Sequence, residues 1–244
     1  MGFLDFFGGG TPADKAKRLK PKVTQKYGDA ATRQKAIDEL GKLKSPDAVP
    51  VLMQRFTFAV DPQTTDAEEK QAVYEFICAL EDEALAPVKD FLKTSDVASS
   101  WALKILEAIL PREQVIGVVT DELKRLGAEY TRDPEKKEVL LHFLEGTADE
   151  RIGPVALPFL NDMSDDVKMC ALKTIASVKF EPAREGLLAL LVTEDTAKRV
   201  QTACVMALVD TGFTVQGYRE KVEARLPEGT YVDKSGVVKR RGAS

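Results

Sequence analysis

Ala31-Thr-Arg-Gln-Lys-Ala-Ile-Asp-Glu-Leu-Gly-Lys-Leu-Lys-Ser-Pro-Asp-Ala-Val-Pro-Val-Leu52 decides the fold of this chain. Ala36, Ile37 and Leu40 fall on one face of a helix. A break at Lys44-Ser-Pro-Asp47 follows, and Pro50 with Val51 opens a second helix. Proline is tolerated there because an N–H in the first helical turn has no intrahelical partner. The pattern then recurs. Ile37 is answered by Val73, Leu103, Leu140, Leu172 and Val205, at gaps of 36, 30, 37, 32 and 33 residues. Three residues after each stands another large apolar one: Leu40, Phe76, Leu106, Phe143, Ile175 and Leu208. Just before each stands a small or β-branched one: Ala36, Ala72, Ala102, Val139, Ala171 and Cys204. A unit of this length with helical periodicity is the mark of an α-solenoid.

The second helix of each unit keeps register too. Pro50, Pro87, Gly117, Pro154 and Gly186 lie 13 or 14 residues after the marker, each followed by Val or Leu. Glycine in that slot is expected where the paired helix comes close. Asp29, Asp66, Asp96, Asp133 and Asp165 lie seven or eight residues before their markers. There an aspartate caps a helix start and complements its dipole. First helices are expected near 30–43, 66–80, 97–109, 134–145, 165–178 and 196–210. Second helices are expected near 47–58, 84–93, 112–126, 151–161, 182–192 and 216–226. A basic lead-in helix is expected at 13–27. Thr230 to Lys239 alternates apolar and polar residues around Asp233-Lys-Ser-Gly236, the pattern of a small β-hairpin. The expected organisation is a flexible aromatic tail over 1–12, a repeat solenoid over 13–228, and a tail or hairpin over 229–244.

The stretch 31–52 and its counterparts resemble the HEAT-like repeats of the type also found in phycobilin lyases. The resemblance covers roughly residues 29–227, and the first, fourth and fifth units match best. The third departs through Gly117 inside a longer second helix, and the sixth lacks the Pro/Gly slot. The resemblance implies an all-α fold, a right-handed α-α superhelix of about six two-helix repeats. It implies little about activity, because a fold does not fix a function.

Bulk properties narrow the classes. The chain has 244 residues, 44% hydrophobic and 30% charged, with a net charge of −4. Residues 1–28 carry six Lys/Arg against two Asp, and residues 219–244 carry seven Lys/Arg against four Asp/Glu. The body between is therefore acidic, which opposes nucleic acid binding. No apolar run approaches the roughly 20 residues that span a bilayer. The opening stretch has no basic n-region and Asp5 interrupts it, so it does not read as a secretory signal. Three widely spaced cysteines, Cys78, Cys170 and Cys204, do not make a disulfide framework. They read as small buried hydrophobes in a reducing, cytoplasmic setting.

Catalytic signals are sparse. His142 is the only histidine, so no His-based metal site or triad can form around a second one. No Cys/His pair has metal-ligand spacing. Gly8-Gly9-Gly10 lacks the Lys-Ser/Thr of a phosphate loop and reads as a linker. Carboxylates gather at turns and helix starts, where capping explains them. No cofactor is expected. The expectation is a protein-interaction scaffold without catalysis. The alternative is an enzyme on the same repeats, bilin lyase-like or DNA glycosylase-like. The glycosylase reading needs a cationic aromatic groove. Trp101 is the sole tryptophan and falls on a first helix.

Binding is expected on the second helices, which line the concave face of such solenoids. Arg55, Lys89, Lys93, Lys124 and Arg125 are the candidate basic strip for a partner protein. The second candidate is the tail, whose Phe3, Leu4, Phe6 and Phe7 offer apolar anchors. Followed by Lys15, Lys17, Arg18, Lys20, Lys22 and Lys26, that tail also has the two signals of a weak membrane contact. The sequence does not set the oligomeric state.

Overall fold

Thr11 begins the first helix through a reciprocal cap. Its hydroxyl accepts from the Asp14 N–H at 3.2 Å, and its own N–H donates to Asp14 Oδ2 at 3.0 Å. Pro12 takes the first helical position. The computed structural model describes residues 10–241, and everything below concerns those residues. Among them run α1 (Pro12–Val23), α2 (Ala30–Gly41), α3 (Val49–Met53), α4 (Gln63–Cys78), α5 (Leu85–Thr94), α6 (Ser99–Ile109), α7 (Arg112–Leu126), α8 (Glu135–Leu144), α9 (Ile152–Ala156), α10 (Asp165–Val178), α11 (Arg184–Val192), α12 (Lys198–Thr211) and α13 (Arg219–Glu223). Strands β1 (Thr230–Val232) and β2 (Val238–Arg240) close the chain as an antiparallel hairpin, with Tyr231 opposite Lys239. The fold is all-α, built of two-helix repeats, with this one small hairpin among the described residues.

The chain divides into two compact units, Met1–Val115 and Ile116–Ser244. In the first, α2 packs on α4 and α4 on α6, while α3 packs on α5. First helices thus meet first helices, and second helices meet second helices. Helix α1 lies against α2 and α3. In the second unit α8 packs on α10 and α10 on α12, α11 meets α13, and β2 rests on α12. The six markers are the spine of both cores. Ile37, Val73, Leu140, Leu172 and Val205 are 0% exposed and Leu103 is 4%.

Several expectations need correction. Phe76 and Phe143 are half-buried, and Ile77 and Leu144 take the core positions instead. The helices of those repeats are turned slightly, so their stripe runs at intervals of four. Of the expected aspartate caps, Asp29 accepts from the Thr32 N–H at 2.7 Å. The cap of α10 is Ser164 rather than Asp165, and that of α6 is Ala98, in the left-handed region with φ 60°. Two second helices stop early and continue as 3-10 turns, Gln54–Thr57 and Leu157–Asn161. Pro158 lies in the latter and cannot donate to the helical ladder.

Gly117 and Gly186 do not mark close helix contacts. A Cβ on Gly117 would meet only Arg151 at 3.6 Å, and one on Gly186 would make ordinary contact with Leu160 at 3.4 Å. Within helices the tight glycines are Gly41 and Gly153. A Cβ on Gly41 would sit 2.4 Å from the Phe76 ring, and one on Gly153 would sit 2.2 Å from the Phe180 ring. Of the cysteines only Cys204 is fully buried, while Cys78 and Cys170 are half-buried.

Candidate functional site

Buried charge is the first feature of both units. In the first, Arg33 on α2 and Arg55 after α3 both point inward, 2% and 0% exposed. Both donate through Nε to one oxygen of Glu69, Oε2, at 2.7 and 2.6 Å. Arg55 also donates to Asp66 Oδ1 at 2.7 Å and to the Phe58 carbonyl at 3.0 Å. Arg33 donates to the Gln25 and Gly28 carbonyls at 3.1 and 3.2 Å, fixing the loop before α2. Burial raises the Asp66 carboxyl, but hydrogen bonds from Lys70, Arg55 and the Val60 N–H outweigh it, so it titrates below the ordinary range. The sequence expectation for Arg55 is therefore overturned. It is not part of an exposed strip, because a guanidinium with three inward partners gains more there than it would in solvent.

The second unit buries two neighbouring lysines of α8. Lys136 pairs with Glu122 at 2.7 Å, and Lys137 pairs with Asp162 at 2.7 Å. Burial raises the Glu122 carboxyl, while Arg125 and Lys136 more than reverse this. Arg125 is 43% exposed, yet it grips Glu122 with two bonds of 2.8 and 2.6 Å. Its guanidinium is engaged before any partner arrives.

The remaining candidates stay at the surface. Lys89 and Lys93 are exposed one turn apart on α5, and Lys124 is exposed on α7, 3.5 Å from Asp121. Phe3, Phe6 and Phe7 lie outside the described residues. His142 is 76% exposed, with Nδ1 3.3 Å from Glu145 Oε2. Burial pushes the Cys170 thiol up to about 11 and the Cys204 thiol up to about 12. Such thiols are poor nucleophiles near neutrality. Among the described residues no group of three or more His, Cys, Asp or Glu is placed to hold a metal ion, and no helix is long and apolar enough to cross a membrane. Trp101 is half-buried, stacked on Phe56 at 4.5 Å, with the Lys104 ammonium 4.7 Å from its ring.

A groove of about 440 Å³ opens in the first unit. Ala13 and Ala16 of α1 form one wall, and Pro46, Pro50, Val51 and Pro87 form the other. Lys17, Lys20 and Asp47 stand at its margins, all exposed. The floor is apolar and two of the three marginal charges are positive.

No family model matches the chain, and no curated protein does. Solved structures do. The chain is similar to human deoxyhypusine hydroxylase, solved in complex with glycerol, at 14% identity and a TM-score of 0.37, over 88% of this chain and 95% of that one. It is also similar to an engineered protein at 19% identity and a TM-score of 0.41, over 87% and 97%.

Sequence reasoning offered Lys17 and Lys20 only as part of a basic membrane-contact signal and missed them as groove residues, because α1 lies outside the repeats. It also missed Tyr130 and Met163, which are 70% and 73% exposed. The available signal was a large apolar residue in each of two inter-repeat loops, where polar residues are the rule.

Proposed function

We propose that this protein is a non-catalytic scaffold that holds a segment of a partner protein on its second-helix side. The groove between α1 and residues 46–51 carries the reading. An apolar floor with lysines at its edge suits a segment that mixes apolar anchors with acidic residues. The apolar contacts supply affinity, and the charges govern encounter and register. Lys89 and Lys93, exposed on the helix that contributes Pro87, extend the basic character along α5. A cytoplasmic setting belongs to the same proposal and is supported by three free thiols.

The experiment is affinity capture with mass spectrometry, followed by titration of the captured partner against Lys17→Glu/Lys20→Glu. The partner should bind the wild-type chain and lose at least about tenfold in affinity to the variant, since each tenfold is about 1.4 kcal/mol. Unchanged affinity at low salt, with an unchanged melting curve, would remove the groove from the function.

A further inference from the structure

Two exposed apolar side chains of the second unit stand on loops that share one buried support. Tyr130 lies in the loop 127–134 before α8, and Met163 lies in the loop 162–164 before α10. One ammonium holds both loops. Lys137 Nζ donates to the Glu129 carbonyl at 2.5 Å and to Asp162 Oδ2 at 2.7 Å. Tyr130 and Met163 are each the next residue after those acceptors. Lys137 is 0% exposed, and the other oxygen of Asp162 accepts from the Ser164 N–H at 2.9 Å. Neither loop can swing away without stripping a buried charge of its partners, which is costly. An anchor held in place before binding loses less freedom on binding.

The charge around the pair has one prevailing sign. Glu129, Asp133 and Glu135 are exposed, Glu138 is half-buried on α8, and Asp165 and Asp166 open α10. The Glu138 carboxyl is raised by burial and then by Asp166, Glu135 and Asp133, so these groups share one field. Three cations stand among them. Arg199 lies 2.6 Å from Asp166, Lys168 lies 3.3 Å from Asp165, and Arg132 is exposed in the first loop. The carboxylates still outnumber them.

We propose that Tyr130 and Met163 anchor a docking surface for a basic segment of a partner protein that carries apolar side chains. Tyrosine offers a stiff amphipathic ring, and methionine offers a thioether that adapts to the shape set against it. The carboxylates around them draw lysine- and arginine-bearing partners and repel acidic ones. This surface lies in the other unit from the groove and takes the opposite charge, so the protein would hold two dissimilar segments.

The test uses the full chain and two fluorescein-labelled peptides, one alternating lysine with leucine and one alternating glutamate with leucine. The lysine peptide should bind at Tyr130 and Met163, while the glutamate peptide should bind only at the Lys17/Lys20 groove and lose that binding in Lys17→Glu/Lys20→Glu. Tyr130→Ala/Met163→Ala should weaken the lysine peptide by roughly tenfold or more, the scale of an interface anchor, with the melting curve kept. Asp133→Lys/Glu135→Lys should weaken it in low salt and less in high salt. Lys17→Glu/Lys20→Glu should leave this binding intact, so loss of the groove reading would not touch it. Glutamate peptide binding to Lys17→Glu/Lys20→Glu as tight as that of the lysine peptide, or no effect of the double alanine variant on the lysine peptide, overturns the proposal. So does an equal loss from Glu81→Lys/Asp82→Lys in the first unit, which would mark a general acidic effect. If sedimentation shows a dimer that the double alanine variant dissolves, the occupant is a second copy and the proposal is overturned.

Discussion

In the first unit two arginines converge on one carboxylate oxygen, and in the second two adjacent lysines each have a carboxylate of their own. The chemistry of the cations explains the difference. A guanidinium presents five donors in a planar fork, so Arg55 can reach Glu69, Asp66 and a carbonyl at once. An ammonium is a point charge with three donors, and Lys137 spends two of them on one carboxylate and one carbonyl. The first arrangement concentrates its dependence on Glu69, whose second oxygen, Oε1, has no partner among the described residues. The second spreads dependence over Glu122 and Asp162.

That contrast can be broken most directly at Glu69. Glu69→Leu leaves two buried guanidiniums facing each other without their shared anion, and should cost about 3–5 kcal/mol in denaturant unfolding. Asp162→Leu should cost less, because it strands one cation instead of two and Lys137 keeps the Glu129 carbonyl. If Asp162→Leu is the worse of the two, the contrast fails. Replacing the cluster as Arg33→Met/Glu69→Leu/Arg55→Met should recover most of the loss, since apolar residues of similar volume often replace buried ion pairs without penalty.

The tight glycines allow a second comparison, with a smaller effect. Gly41→Ala and Gly153→Ala should each cost about 1–3 kcal/mol by overpacking, read from melting curves. Gly153 should be the more sensitive, because its added methyl would also lie 2.7 Å from Phe180 Cβ, which a ring flip cannot move. Phe180→Leu should then rescue Gly153→Ala in part, and no rescue would mean that the strain lies elsewhere.

Acid should act on both units. Asp66 and Glu122 titrate below the ordinary carboxylate range when folded. Each therefore adds stability that is complete above the unfolded pKa, about 4, and is lost as pH falls through the lowered folded value. The urea midpoint should hold between about pH 7 and 5 and fall below about 4. Asp66→Asn and Glu122→Gln should each flatten that fall, and an unchanged slope in both would show that other carboxyls govern it.

The smallest expected effect is on thiol labelling. With its thiol at about 12 and no exposed surface, Cys204 should resist alkylation near pH 8 until the chain is unfolded. Half-buried Cys78, whose thiol is raised by burial and lowered in part by Tyr74 and Lys104, should label sooner. Mass spectrometry of alkylated peptides gives the order, and faster labelling at Cys204 would mean that the second unit opens more readily.

The repeat path was legible because a period near 33 residues forces the same apolar slots to recur, and all six markers are core. Boundaries followed from proline slots and turns. The ion clusters were hidden, though a trace existed. Arg33, Glu69, Ser99 and Lys136 each lie four residues before a marker, in a slot that faces inward, and all four are buried. A charge in a core slot demands a partner, but that partner comes from a neighbouring repeat. Arg55 meets Asp66 and Glu69, 11 and 14 residues further on, and Arg33 meets Glu69 at 36. Pairing across that distance depends on how successive helices are rotated, which periodicity alone does not set. The link between the loops of Tyr130 and Met163 was hidden for the same reason, since it runs through the Lys137 side chain.

Lys136 and Lys137 have a consequence for proteolysis. Trypsin cuts after lysine, and here two consecutive cleavage sites are sealed in the interior with their ammonium groups bound to Glu122 and Asp162. A protease must thread an extended segment through its cleft, so α8 has to unwind and both ion pairs must part before either bond is cut. When reclosing outpaces cutting, the yield of that cut follows the population of the opened form. The fragment ending at residue 136 or 137 is thus a built-in gauge of how often the second unit breathes, readable on a gel without any label.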